Sequence, residues 1–192
     1  MNEQRDVIEV LTTDHREVEE MFVQLESLRA SAAGNPAVQQ QRKEIVGKVI
    51  KELVRHSEAE EMYVYPAAKE ALGDERIVEH EIDEHAAAER VMNQLDGMSP
   101  DDPEFETSLD ALMRGIRQHI SEEEASLLPQ LRQSVPTEKL IELGQKVQAA
   151  KQVAPTHPHP SAPDQPPLNK VLGLGAAVID KARDAVTGRG KD

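Results

Sequence analysis

The fold class this sequence predicts is all-α: an up-down-up-down four-helix bundle, a fifth short helix and an extended C-terminal tail. Three observations predict it. Apolar residues recur three and four positions apart in four successive segments, the pattern of a helix seam facing a core. Short turn-forming stretches separate the segments, which makes successive helices antiparallel neighbours. The second half of the chain also repeats the first. His56-Ser-Glu-Ala-Glu60, with Pro66 ten residues after the histidine, recurs as His119-Ile-Ser-Glu-Glu123 with Pro129 ten residues on. Asp14-His15, followed by Glu19 and Leu25, returns as Glu84-His85, followed by Glu89 and Leu95.

The first helix carries Ile8, Leu11, His15, Val18, Phe22 and Leu25 on its seam, and Ala33-Gly-Asn-Pro36 ends it. The second aligns Ile45, Val49, Leu53, His56, Glu60, Val64 and Ala67; Pro66 should kink or stop it, and Gly73-Asp74 is the turn that follows. The third reads Val78, Ile82, His85, Ala88, Met92 and Leu95, closed by the Gly97–Pro103 stretch. The fourth reads Phe105, Leu109, Leu112, Ile116, His119, Glu123 and Leu127, with Pro129 expected to act as Pro66 does. A fifth helix is predicted over roughly 137–152, with Leu140, Leu143, Val147 and Ala150 inward. These residues, 1–152, form the predicted bundle domain. Residues 153–167 are proline-rich and read as an extended, loosely attached linker. Residues 168–192 form an amphipathic tail segment, with Leu168, Val171, Leu172, Val178, Ile179, Ala182 and Val186 at helical spacing.

Charge and composition exclude several function classes. The chain has 36 acidic against 22 basic side chains, a net charge of -14, which repels phosphate backbones and disfavours nucleic-acid binding. It contains no cysteine, so any metal must be held by nitrogen and oxygen. The polar N-terminus shows no signal segment and no apolar run is long enough to span a bilayer, so a cytoplasmic address is expected. The few aromatics, Phe22, Tyr63, Tyr65 and Phe105, leave an aliphatic core.

Against that core the anomaly is polar. His15, His56, His85 and His119, with Glu60 and Glu123, sit where the seams otherwise demand aliphatic side chains. Burying an unpaired carboxylate costs several kcal/mol or forces it to take up a proton. Spacing of i to i+4 puts His56 and Glu60 on one helical face, and His119 and Glu123 likewise. A pair of divalent or trivalent metal ions supplies the missing partner. Imidazole with carboxylate suits iron, manganese or zinc, and four histidines with two carboxylates exceed what one tetrahedral zinc requires. A dinuclear centre follows, with redox-active iron as the leading metal. His-x-x-x-Glu alone is weak evidence, because His15, His80 and His85 also have a glutamate four residues on. Placement on the stripe, the duplicated proline and the repeat favour metal over a metal-free bundle with buried His–Glu hydrogen bonds.

At these residues the chain resembles the hemerythrin-like, or HHE cation-binding, family over about residues 5–150. The resemblance rests on Asp14-His15, on His56-x-x-x-Glu60-Glu61 with Tyr65-Pro66, on Glu84-His85, and on His119-x-x-x-Glu123-Glu124 with Leu128-Pro129. It implies a non-haem di-iron centre, two irons per chain with an oxo or hydroxo bridge. His15, His56, His85 and His119 would be terminal ligands, and Glu60 and Glu123 would bridge the irons. It also implies small-molecule partners: dioxygen, hydrogen peroxide or nitric oxide.

The chain departs from the oxygen-carrying members. They place two histidines four apart on the third helix, whereas His80 and His85 are five apart, a rotation of roughly 140° on a regular helix. His80 joins the site only if a bulge distorts that helix. The last motif is His-x-x-x-Glu rather than a longer His-to-Asp spacing. Fewer histidines leave one more open position, which favours stress-response chemistry over oxygen transport and leaves a catalase-like, peroxidase-like or nitric oxide-handling activity open.

Tyr63 and Tyr65 are read first as core residues, and second as groups approaching the centre. Glu19 and Glu89 flank the stripe. His157 and His159 are read as linker composition. Two further functions stay in view: an iron or oxygen sensor or store whose metal occupancy controls bundle stability and a partner, and a metal-free interaction module. The tail's Lys170, Lys181, Arg183, Arg189 and Lys191 suit docking on the acidic bundle first and a membrane surface second.

Overall fold

The computed structural model describes residues 5–158. Seven α-helices run in order: α1 (Val7–Ala32), α2 (Pro36–Ala59), α3 (Tyr65–Leu72), α4 (Glu75–Gly97), α5 (Phe105–Ala125), α6 (Leu127–Ser134) and α7 (Thr137–Val153). A π-helical turn, Glu60–Val64, joins α2 to α3 without a loop, so these form one interrupted helix. The long elements are the four helices read from the sequence, and the described residues form helices and no strand.

Local chemistry sets their ends. Asp6 caps α1 in a reciprocal box: its carboxylate accepts from the Glu9 N–H while Glu9 accepts from the Asp6 N–H, each at 3.0 Å. Asn35 caps α2 ahead of Pro36, and Asp74 caps α4. Gly73, at φ +66°, ends α3 in the left-handed conformation that favours glycine.

Ion pairs across the bundle fix the directions. Arg29, late in α1, pairs with Asp110, early in α5, and Asp6 meets Arg132 of α6, so α1 runs antiparallel to α5–α6. Arg42, early in α2, pairs with Glu106 at the start of α5, which makes those two parallel. His80, early in α4, meets Glu122, late in α5. The result is up-down-up-down. The fifth helix, α7, packs on α1 and α2 and runs parallel to α1: Gly144 lies against the Arg5–Val7 backbone, and Lys151 reaches Asp14.

Two prolines act differently from the expectation that each should kink or stop its helix near the end. Pro66 heads α3, which runs on to Leu72. The π turn widens the helix, with the Tyr65 N–H bonded to the Glu60 carbonyl, so the ring fits without ending it. In the second repeat the helix breaks at Ser126, whose N–H is shared between the Glu122 and Glu123 carbonyls at 2.9 and 3.3 Å. Pro129 then falls in the first turn of α6, where its missing donor leaves no bond unmade.

The core is divided. One apolar cluster, around Phe22, Ile50, Leu95, Phe105 and Leu112, fills one end of the bundle. A second, around Leu11, Val64, Val78, Leu127 and Val147, fills the other. His15 on α1, His56 on α2, Glu60 in the π turn, His85 on α4, and His119 and Glu123 on α5 lie between them. Ala154, Thr156 and His157, in the stretch read as a loose linker, are buried, and His157 Nδ1 is 2.9 Å from Asp96 Oδ2. His159, most of the linker and the tail segment at 168–192 lie outside the described residues.

Candidate metal centre

Each of the four interrupted or continuous helices contributes one histidine to the layer between the apolar clusters. All four histidines are buried, and Glu60 and Glu123 are fully so, at 0% exposure. The Nε2 atoms face inward. His15 Nε2 lies 3.3 Å from Glu123 Oε2, His56 Nε2 lies 3.1 Å from Glu60 Oε2, and His85 Nε2 is 3.4 Å from Glu60 Oε2 and 3.3 Å from His119 Nε2. Two triads result, His15–His56–Glu123 and Glu60–His85–His119, each with ligand atoms within 4.8 Å of one another. The imidazole pairs match: ring centroids are 5.0 Å apart at 59° for His15–His56, and 4.8 Å apart at 58° for His85–His119. The sequence repeat has become a near two-fold arrangement.

Every outward nitrogen is braced by a carboxylate from a neighbouring helix. Asp14 on α1 holds His56 Nδ1 at 3.2 Å, and Glu61 in the π turn holds His85 Nδ1 at 3.1 Å. Glu84 on α4 holds His119 Nδ1 at 3.0 Å, and Glu124 on α5 holds His15 Nδ1 at 2.8 Å, closing a circle around the bundle. Such pairs fix the tautomer and the ring orientation and raise ligand basicity. The bracing roles were missed from the sequence, although a signal existed. Each brace is the immediate neighbour of a stripe residue, and one residue's 100° rotation aims it at the next helix.

The electrostatics show strain that ion pairs only partly relieve. Burial alone would lower His56, yet the charge of Glu60 and the hydrogen bond with Asp14 outweigh it and lift the imidazole to about 10. His85 is raised to about 10 against burial by Glu60 and Glu61. Burial and the nearby Glu60 charge push Glu123 up to about 7, while Glu60, despite its burial, is held well below the usual range by His56. Two carboxylates this close cannot both ionise without more positive charge.

The residues fit a cation pair. His15 Nε2, His56 Nε2, Glu60 Oε1 and both Glu123 oxygens are buried without a hydrogen-bond partner. Their donor set is nitrogen and oxygen only, which suits iron, manganese or zinc.

Not every candidate is brought in. His80 is 57% exposed and pairs with Glu122 at 3.1 Å; no bulge turns α4 to bring it inward. Tyr65, read first as core, reaches the site: its hydroxyl is 3.1 Å from His85 Nε2 and 3.5 Å from Glu60 Oε2. Tyr63 instead lines an outer groove with Pro66 and Lys139. Glu19 pairs with Arg117 at 2.7 Å on the surface. Beside the histidines lies an apolar space of about 20 Å³ walled by Val18, Leu53, Ala88, Met92, Ile116 and Ile120. That is room for a water-sized or diatomic molecule.

The family model of the hemerythrin HHE cation binding domain matches residues 6–131. An uncharacterized hemerythrin-like protein of Schizosaccharomyces pombe is 38% identical over 135 residues, covering 69% of this chain and 66% of that protein. A DNA nickase of Nostoc sp. is 27% identical over 146 residues, covering 76% of this chain and 39% of that protein. The chain thus spans just under two thirds of the first relative's length and well under half of the second's. No solved structure gives a significant match. A family model matched across the histidine layer, with a relative at that identity, means that the chain belongs to the hemerythrin HHE cation-binding family.

Proposed function

We propose that the chain is a non-haem di-iron protein handling dioxygen, peroxide or nitric oxide, in a stress-response role rather than in transport. The observation that carries this is the pair of braced triads facing unpartnered carboxylate oxygens beside a diatomic-sized apolar space. His15, His56, His85 and His119 would hold two irons through Nε2, together with Glu60 and Glu123. Iron bound there supplies the electron density that such ligands take up. The chain's own residues do the rest. Asp14, Glu61, Glu84 and Glu124 orient the imidazoles. Val18, Leu53, Met92 and Ile116 keep bulk water and organic substrates out. Tyr65, its phenol raised well above 10 by burial and by Glu60, stays protonated at neutral pH and keeps a hydrogen to donate.

Iron sensing is the second reading, and one observation favours it. Lys151 on α7 reaches Asp14 at 2.6 Å, so the last described helix touches the brace of a ligand. The nickase likeness suggests a third. The net charge of -14 opposes it.

Metal content per chain after iron-replete expression tests the reading. About two irons, lost from His56→Ala and His119→Ala variants that still fold, are expected, after which peroxide and nitric oxide assays separate the chemistries. Little iron, with helix content and thermal stability unchanged in both variants, would leave a metal-free bundle.

A further inference from the structure

The internal repeat relates the two triads, so the positions where it fails set them apart. With His15 aligned on His85, Leu11 falls opposite Glu81; with His56 aligned on His119, Tyr65 falls opposite Leu128. All four side chains are buried. Both polar members belong to one triad: the Tyr65 hydroxyl is 3.1 Å from His85 Nε2, and Glu81 Oε2 is 3.1 Å from His119 Nδ1. The repeat gives the His15–His56 triad leucine at both places.

A third difference lies outside the repeat. Asp14, the brace of His56, carries Lys151 at 2.6 Å. Its counterpart Glu84 instead shares His119 Nδ1 with a second carboxylate, Glu81. Metal binding requires ionised carboxylates. In that state Glu60 lies between the halves, 3.1 Å from His56 Nε2 and 3.4 Å from His85 Nε2, while Glu61, Glu81 and Glu84 gather three further negative charges about His85 and His119. Glu123, Glu124 and Asp14, offset by Lys151, leave a net two about His15 and His56.

We infer that the two halves load in order: the Glu60–His85–His119 triad takes the first cation and holds it more tightly. Glu81 sets the difference, and Lys151 weakens the other half. This rests on the dinuclear reading above. A unit charge in a buried region acts strongly on a divalent ion, and the second carboxylate beside His119 Nδ1 adds such a charge to this half alone. Glu81 is 3% exposed, and its Oε2, 3.1 Å from His119 Nδ1, makes no hydrogen bond because Glu84 takes the ring N–H, so a cation beside His119 gives a buried carboxylate the partner it lacks. The opposing effect is smaller: Tyr65 must give up one hydrogen bond at His85. A half-loaded, one-metal form is then a stable species at low metal supply.

Titration of the metal-free full chain with Co(II), followed by absorption and calorimetry, tests this. Two steps are expected, with affinities differing by about tenfold or more. His85→Ala should abolish the tight step and His15→Ala the weak one. Glu81→Gln should weaken the tight step about tenfold and spare the other, while Lys151→Met strengthens the weak step and Lys151→Arg behaves as the parent chain. Two ions of like affinity, or loss of the tight step in His15→Ala, would overturn the ordering. A lower melting temperature of metal-free Glu81→Gln with unshifted steps would assign Glu81 to packing and overturn its role. Binding of fewer than two ions by the parent chain would defeat the dinuclear reading underneath.

Discussion

His56, Glu60, His85 and Glu123 are buried between two apolar clusters, and their protonation determines how the metal-free form behaves. His56 and His85, lifted from 6.5 to about 10, contribute stability that is complete below pH 6.5 and lost as pH rises through about 10. Glu123, raised from 4.5 to about 7, acts in the same sense at lower pH, losing its contribution as pH climbs past about 7. Glu60 acts oppositely, since its lowered value gives stability above 4.5 that disappears only in stronger acid. The metal-free bundle is therefore expected to be most stable in mild acid, with a melting temperature that falls from pH 7 to pH 10. Metal competes with the same protons, so affinity should rise across that window with protons released on binding. Thermal melts of metal-free protein and pH-stat titration of the loading check both trends; a flat melting profile above pH 7 would contradict them.

At the scale of the element, one sequence signal produced two geometries. Proline ten residues after the ligand histidine gives a π turn in the first repeat and a break at Ser126 in the second, and both leave the preceding glutamate facing the layer. The fifth helix is held by a close approach. A Cβ at Gly144 would lie 2.5 Å from the Arg5 carbonyl oxygen, 2.9 Å from Asp6 C and 3.0 Å from Val7 N, all backbone atoms. Gly144→Ala is expected to destabilise the fold by about 1–3 kcal/mol, a drop of roughly 2–10 °C in melting temperature. A melt indistinguishable from that of the parent chain would mean that α7 shifts freely along α1.

Across the whole molecule, the acidic excess governs which partners the surface repels. A chain with net charge -14 should show no binding to duplex DNA at physiological salt, weaker than about 10⁻⁴ M by fluorescence anisotropy. Micromolar binding would instead carry the nickase likeness to this protein. No helix among the described residues is long and apolar enough to cross a membrane.

Helical periodicity, the turn residues and the repeat together determined the bundle, its order of helices and the six inward-facing residues, because a buried seam must repeat every three to four positions. His80 also separated itself, since five residues from His85 rotates it off the seam. What only the tertiary structure decided concerns neighbours across helices. Asp14 holds His56, Glu81 sits behind His119, and Lys151 reaches Asp14. A carboxylate beside a seam reads the same from sequence whether it meets water or a buried imidazole. Packing of the next helix supplies the difference, and that packing gives the two near-identical triads unequal surroundings.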